Sequence, residues 1–438
     1  MKGAAAVWSG GRALRTLPGD ARTQGAASRP RGRAAADTLV VETVRDPARW
    51  AALDSLWHEL LDAIPDQPAA EGGASTCFMT HAWLTTWWQH LPASLGIHCR
   101  PLLILVWQGT RLVGAAPLMV ARSRRRGPTP RRLMFIGAGA SDYQRVLVSG
   151  SAGVAGFAGS AAAGTGAPSA GSAAVLRALA RQLVAERRAW DVLELDEYDG
   201  RDPHLSQWLA ALAEAGCRVR VTPASPCAGL AVTGDWDDFY TGRAGGERRK
   251  KYRKAWRRLA ESGAVEVELR DYVARDDALL GELAALERAH PGAAGERPGL
   301  FNAPGYASFM RAVVPARARG GEVLVAVLRV SGRALAYLLF FVRQGRAAAY
   351  ATAYHGAWRH ASPGALLLRH ALEQLRARGI SAIDFNRGAQ AYKSLWLTAT
   401  RDNLRIRAWH GGWRARLHAH WSALRAGGRC APPFGEQA

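Results

Sequence analysis

The residues best suited to chemistry in this 438-residue sequence fall in one stretch, from Tyr354 to Trp396. Ser362-Pro363 reads as an N-cap followed by proline at the first helical position. Leu366, Leu367, Ala371, Leu372 and Leu375 continue as a buried stripe, which Gly379 ends. A helix that opens beside the end of a strand turns unpaired backbone N–H groups and a positive dipole end outward, which suits a pyrophosphate. Gly364 would let such a ligand approach the backbone, and Arg359 would add charge. The bland alternative is a well-capped structural helix. Directly after it, AIDFNRGAQAYKSLW places Asp384 at the end of a strand, a turn at Arg387-Gly388, and Tyr392, Lys393 and Trp396 at the start of the next element. Lysine occupies only positions 2, 250, 251, 254 and 393, against 53 arginines, so the lysine retained at 393 points to a compact ammonium rather than a planar fork.

The elements that must position these groups repeat. Asp46-Pro47 opens an amphipathic helix through Trp50, Leu53, Leu56, Trp57, Leu60 and Leu61, and HAWLTTWWQH makes a second helix. LLILVW and LVGAAPLMV form a hairpin around Gln108-Gly109-Thr110, VLRALARQLVAERR a helix and WDVLELDEY a strand. The second part of the chain runs in the same order: VLVAVLRV and ALAYLLFFV around Ser331-Gly332-Arg333, the strand AAAYATAY, the helix LLLRHALEQLRAR and the strand ISAIDF. Leu176-Arg177 with Gln182-Leu183 matches Leu368-Arg369 with Gln374-Leu375, which indicates an internal duplication of two α/β halves. Residues 149–174 contain 22 Gly, Ala or Ser among 26 positions and read as a flexible insertion.

Charge narrows the function classes. The chain carries 58 Lys+Arg against 36 Asp+Glu, a net +22. Four stretches (1–36, 122–132, 247–261 and 401–438) hold all of this excess, leaving a nearly neutral body that is not a uniformly cationic nucleic-acid binder. Around 247–261, Tyr252, Ala255, Trp256 and Leu259 form one apolar stripe, and eight cations cover the rest of the helix. Such a helix is either docked with solvated cations or bound to a membrane surface, a nucleic acid or a phosphorylated ligand. Five widely spaced cysteines without a C-x-x-C pair argue against a disulfide framework and a zinc site, and fit a reducing cytoplasm. The sequence offers no apolar run long enough for a signal peptide or a membrane span, and no metal-ligand spacing.

Four blocks resemble the CelD-type (cellulose biosynthesis) acetyltransferase family of the GNAT superfamily, which is related to FemAB-type aminoacyl transferases. They are VGAAPLMVAR with FIGAGASDYQRVLV, the basic helix, YHGAWRHASPGALLLRHALEQLRARG and IDFNRGAQAYKSLW. The resemblance implies an α/β (α+β) fold of two tandem GNAT-like halves, mixed sheets flanked by helices, with the acyl-donor site in the C-terminal half. The implied organisation is a disordered basic extension at 1–36, a first half at 37–228 and a linker with the basic helix at 229–265. The C-terminal half then occupies 266–412 and a tail 413–438. Where the family carries R/Q-x-x-G-x-G/A, this chain has Arg359 followed by HASPG.

Acyl transfer from a thioester needs a base, an oxyanion stabiliser and an acid for the departing thiolate. Those needs make Asp384 the candidate for acceptor orientation or base work, Lys393 for oxyanion or phosphate stabilisation and Tyr392 for proton donation, with His355 as an alternative base. Arg359, Ser362, Gly364, Lys250 and Arg253 are the expected donor contacts, and Asp142 and Tyr143 the expected acceptor contacts. The expectation is a cytoplasmic acyltransferase using acetyl-CoA or another acyl-CoA, without metal. Its acceptor would be an amine or saccharide, in exopolysaccharide or envelope metabolism. Residues 247–261 add a weak polyanion or membrane contact but no specific nucleic acid. An aminoacyl-tRNA-dependent transferase and a non-catalytic anionic-surface-binding module remain the alternatives.

Overall fold

The computed structural model describes residues 38–64, 76–94, 96–123, 129–150, 169–291, 299–388, 393–416 and 420. The extension at 1–36, most of the insertion and tail, Cys430 and Tyr392 lie outside them.

Among the described residues, thirteen strands form one mixed sheet. The first half contributes β1 (Leu39–Val44), β2 (Ile97–Gln108), β3 (Arg111–Ser123), β4 (Arg132–Phe135), the short β5 (Leu147–Val148), β6 (Val192–Tyr198) and β7 (Arg218–Ala231). The second contributes β8 (Val265–Asp271), β9 (Val323–Val330), β10 (Arg333–Arg343), β11 (Arg346–Tyr354), β12 (Ala382–Arg387) and β13 (Ala399–Trp409). The spatial order β1-β2-β3-β4-β6-β13-β7-β12-β11-β10-β9-β8 reads the same from both ends once each strand is matched to its counterpart. In each half the fourth and fifth strands are parallel, β4 with β6 and β11 with β12, and the preceding pairs are antiparallel. The closing strands are exchanged: β13 pairs with β6 of the first half, and β7 with β12 of the second.

Local chemistry accounts for the hairpins. Val330 opposes Arg333 across Ser331 (φ 47°) and Gly332 (φ 77°), the two positive φ angles of a type I′ turn, which matches the right-handed twist of the strands. Alternation along β9 sends Val323, Val325 and Val327 to one face and Leu324, Ala326 and Leu328 to the other. On the first face both halves share one core, built with α2 (Asp54–Asp62), α3 (His81–His90), α8 (Asp277–Arg288) and α9 (Tyr306–Ala318). Trp83 of α3 meets Phe309 of α9 edge to face at 5.0 Å. On the opposite face the halves have separate cores. The first is covered by α4 (Ala170–Ala185) and α5 (Leu205–Glu214). The second is covered by α6 (Trp236–Arg243), α7 (Gly246–Ala260) and α10 (Pro363–Ala377).

Three local expectations change. The helix opened by Asp46, whose side chain accepts the Ala48 N–H, stops at Ala51, and a second begins at Asp54. Thus α1 (Pro47–Ala51) and α2 bury Trp50 and Trp57 separately. Residues 170–174 belong to α4 rather than to the insertion, because Ser169 caps that helix by accepting the Ser172 N–H. Arg401, Arg405 and Arg407 are not part of a solvated tail: they lie in β13 and pair with Asp384, Asp196 and Glu194.

Candidate active site at the seam between the halves

Strand β12 alternates Ile383 and Phe385 into the core under α10, leaving Asp384 and Asn386 on the opposite face. Its ladder with β11 runs only from Arg346–Ala382 to Ala348–Asp384, although β11 continues to Tyr354. A register shift follows Asp384, and Asn386 takes a left-handed φ of 57° that lets its side chain donate to Ala349 O at 3.0 Å. In the first half the equivalent gap is filled by the chain itself: Gln144 exchanges backbone bonds with Glu197 and Asp199 at 2.9 Å.

The loop that fills it, Gly137–Tyr143, reaches over to the second half. Tyr306 and Tyr350 donate to Gly139 O and Ala140 O at 3.0 and 2.9 Å. Gly137 is required, since a Cβ there would stand 2.6 Å from Ser141 Oγ, which accepts the Trp83 indole N–H. Asp142 is thereby delivered to an ion pair with Arg387, and Tyr143 donates to Asp384 Oδ1 at 2.8 Å. Asp384 also accepts the Asn386 N–H at 2.7 Å and pairs with Arg401, whose guanidinium lies 4.0 Å from the centre of the Tyr143 ring. Glu197 completes the cluster, accepting from Ser225 and Asn403 at 2.8 and 2.9 Å and lying 3.6 Å from Arg387.

Burial governs the electrostatics. It pushes the Asp384 carboxyl up to about 6, against the pull of Arg401. Burial and then the Asp384 charge raise the Tyr143 phenol well above its ordinary value, so Tyr143 remains a donor. Arg401 Nη1, Asn386 Oδ1 and Asn403 Oδ1 are buried with no hydrogen-bond partner among the described residues.

Of the residues singled out in the sequence, Asp142, Tyr143, Asp384 and Lys393 come together. Lys393 is tied to the backbone at the end of β12. It is 3% exposed, burial lowers its pKa, and Nζ donates to Phe385 O, Arg387 O and Gly388 O at 2.8, 3.0 and 3.2 Å. Those bonds hold the turn after β12, which positions Arg387. His355, Arg359, Ser362 and Gly364 form a second group, along the 3-10 turn Gly356–Ala361 and the start of α10. His355 lies seven residues beyond Ala348 along β11, roughly 23 Å from the carboxylate cluster. It bonds Arg333 and the Ala357 N–H instead. Ser362 stands at the N-cap position but does not cap: its φ, ψ of 48°, 48° turns the hydroxyl away, and the Gly364 N–H makes no bond among the described residues. A Cβ on Gly364 would meet only Tyr354 Cδ1, at 3.6 Å. These are the features of an anion-accepting helix start. Lys250 and Arg253 are exposed on α7, which packs against this turn and donates from Arg258 to His360 O at 3.2 Å.

Sequence reasoning saw Arg387 only as a turn former and passed over Glu197, Arg401 and Asn403. The available signal was stoichiometric: carboxylates placed at buried strand ends need buried cations. A separate open groove of about 630 Å³, lined by Arg218, Trp409, His410 and Arg416, lies at the other end of β7 and β13 and shares none of these residues.

Residues 246–394 match the family model described as "Acetyltransferase (GNAT) domain". The fold is a tandem GNAT fold. The duplication of strand order carries the architecture from the matched GNAT half to the other. The chain resembles the crystal structure of FemX over 83% of its own length and 96% of that chain, at 12% identity and a TM-score of 0.51. It also aligns with the C-terminal DUF2156 domain of an Agrobacterium fabrum protein (14% identity, 86% and 97% coverage, TM-score 0.44). A third alignment is with a tandem GNAT protein of clavulanic acid biosynthesis (14%, 84% and 98%, 0.40). No curated protein matches the sequence. Among the described residues no cluster of side chains could hold a metal ion, and no helix is long and apolar enough to cross a membrane.

Proposed function

We propose that this chain is a cytoplasmic acyltransferase that takes an acyl group, acetyl first, from acyl-CoA and passes it to an amine or sugar hydroxyl in exopolysaccharide or envelope metabolism. The observation that carries this reading is the parting of β11 and β12 after Ala348–Asp384, within the segment that matches the acetyltransferase family. The uncapped start of α10 stands at the far end of that opening and the carboxylate cluster at its base. A donor with a diphosphate, a long flexible arm and a terminal thioester fits those two ends. The Gly364 N–H and Arg359 would hold the diphosphate. Asp384, ionised above about pH 6, orients the acceptor and takes its proton. Asp142 and Lys393 act indirectly, by fixing the turn at Arg387.

Calorimetric titration with acetyl-CoA tests the reading. The natural chain binds it, whereas Gly364→Val, whose Cβ would make only an ordinary 3.6 Å contact with Tyr354 Cδ1 and so leaves the fold intact, loses binding by an order of magnitude or more. Absence of acetyl-CoA binding, with stabilisation by aminoacyl-tRNA in its place, would replace the donor.

A further inference from the structure

Helix α7 stands apart from the other basic parts of the described chain. Several arginines elsewhere face carboxylates: Arg131 pairs with Asp191, Arg317 with Glu322, Arg329 with Glu282 and Arg387 with Asp142. None of the eight cations of α7, from Arg248 to Arg258, is in an ion pair among the described residues, and all but Arg249 are exposed. Like charges stand one turn apart at Arg249–Arg253, Lys250–Lys254, Arg253–Arg257 and Lys254–Arg258, an arrangement that works against the helix. Packing holds it in place: Ala255 and Leu259 are buried, Tyr252 packs on the same core and Trp256 meets His370 of α10 at 5.0 Å. The apolar stripe is thus spent inward, and an unneutralised convex face of lysine and arginine looks outward beside exposed Arg359 and His360.

We propose that α7 docks the protein onto an anionic lipid surface, with the opening between β11 and β12 next to the contact. Charge complementarity selects an anionic partner, and the shape of the face selects a lipid surface over a nucleic acid. A single strand is bound in a groove with exposed aromatic platforms, whereas both aromatics of α7 are packed against the fold. Entry into a duplex groove needs a protruding helix, and α7 lies flat along α10 and the turn Gly356–Ala361. A plane of anionic headgroups requires only cations on a convex face, each adding to the attraction within a Debye length.

Co-sedimentation of the full chain with vesicles tests this. Equal parts phosphatidylglycerol and phosphatidylcholine should retain the protein at low salt and release it as salt rises, and phosphatidylcholine alone should not retain it. The triple variant Lys251→Gln, Lys254→Gln, Arg257→Gln should lose on the order of 100-fold in vesicle affinity. Its melting temperature should be unchanged or higher because like-charge repulsion is relieved, and its acetyl-CoA binding should be intact. Retention of the triple variant equal to that of the natural chain would assign the contact to another basic segment and overturn the proposal. Equal retention by neutral vesicles, no retention at all, or tighter binding of poly(U) than of vesicles at matched phosphate would overturn it too. Because acetyl-CoA binding is read separately, failure here leaves the acyltransferase reading standing, and the reverse holds as well.

Discussion

Tyr143 of the first half donates its hydroxyl to Asp384 of the second at 2.8 Å, across 241 positions of sequence, with the Arg401 guanidinium over the phenol ring. Removing that hydroxyl in Tyr143→Phe leaves a buried carboxylate short of one donor. The expected loss is about 1–3 kcal/mol in urea unfolding. Because this bond lowers the Asp384 pKa, the variant should also titrate above the natural value of about 6.

The pH dependence has a definite sign. In the fold Asp384 keeps its proton to about 6, against 3.8 in the unfolded chain. Between those values the native state binds more protons, so stability falls as pH rises. The contribution is fully present below 3.8, is lost on passing about 6, and amounts to about 3 kcal/mol. Unfolding midpoints near pH 4 and pH 7 should therefore differ less in Asp384→Asn, after the change in every other group is subtracted, than in the natural chain. Turnover should rise through about pH 6 in the natural chain, and that limb should vanish in the variant. Equal pH slopes in the two proteins would refute the assignment.

Arg401 and Asp384 are 4% and 5% exposed at the side chain, and each is the other's counter-ion. Arg401→Met strands the carboxylate and should cost about 3–5 kcal/mol, whereas Arg401→Met with Asp384→Leu should recover most of it. A double-mutant cycle measures the difference. Arg401→Lys should rescue little, because a point ammonium cannot both pair with the carboxylate and lie flat on the Tyr143 ring.

Lys393→Met removes the donor shared by three carbonyls at the end of β12. Stability and turnover should drop together, by about 3 kcal/mol in unfolding, since the turn carrying Arg387 is no longer held. Unchanged turnover in a folded variant would remove Lys393 from the site altogether.

Much of the frame was readable in the sequence because it follows from local rules. Ser331-Gly332 predicts its hairpin from backbone sterics, and Leu366 through Leu375 predict α10 from a 3.6-residue period. The pairing of Asp142-Tyr143 with Asp384 was within reach only as a resemblance, because a loop and a strand more than 240 residues apart meet through sheet topology. Arg401 illustrates the limit. In a chain with 53 arginines, one at the edge of a basic tail carries no mark that distinguishes it from its neighbours, and only the position of β13 between β6 and β7 buries it. Lys393 was noticed for its rarity, but rarity could not tell a reacting ammonium from one that ties down a turn.

The crossing of the two closing strands also sets an order of events during synthesis. Glu197 at the end of β6 waits for Asn403, 206 residues later, before the edge of its sheet is covered. Until the last strand leaves the ribosome, the nascent chain presents an open β edge, and neither half can complete its sheet without the other. Contacts of such long range make for slow folding, and a chain cut short before residue 399 should persist as an aggregation-prone intermediate.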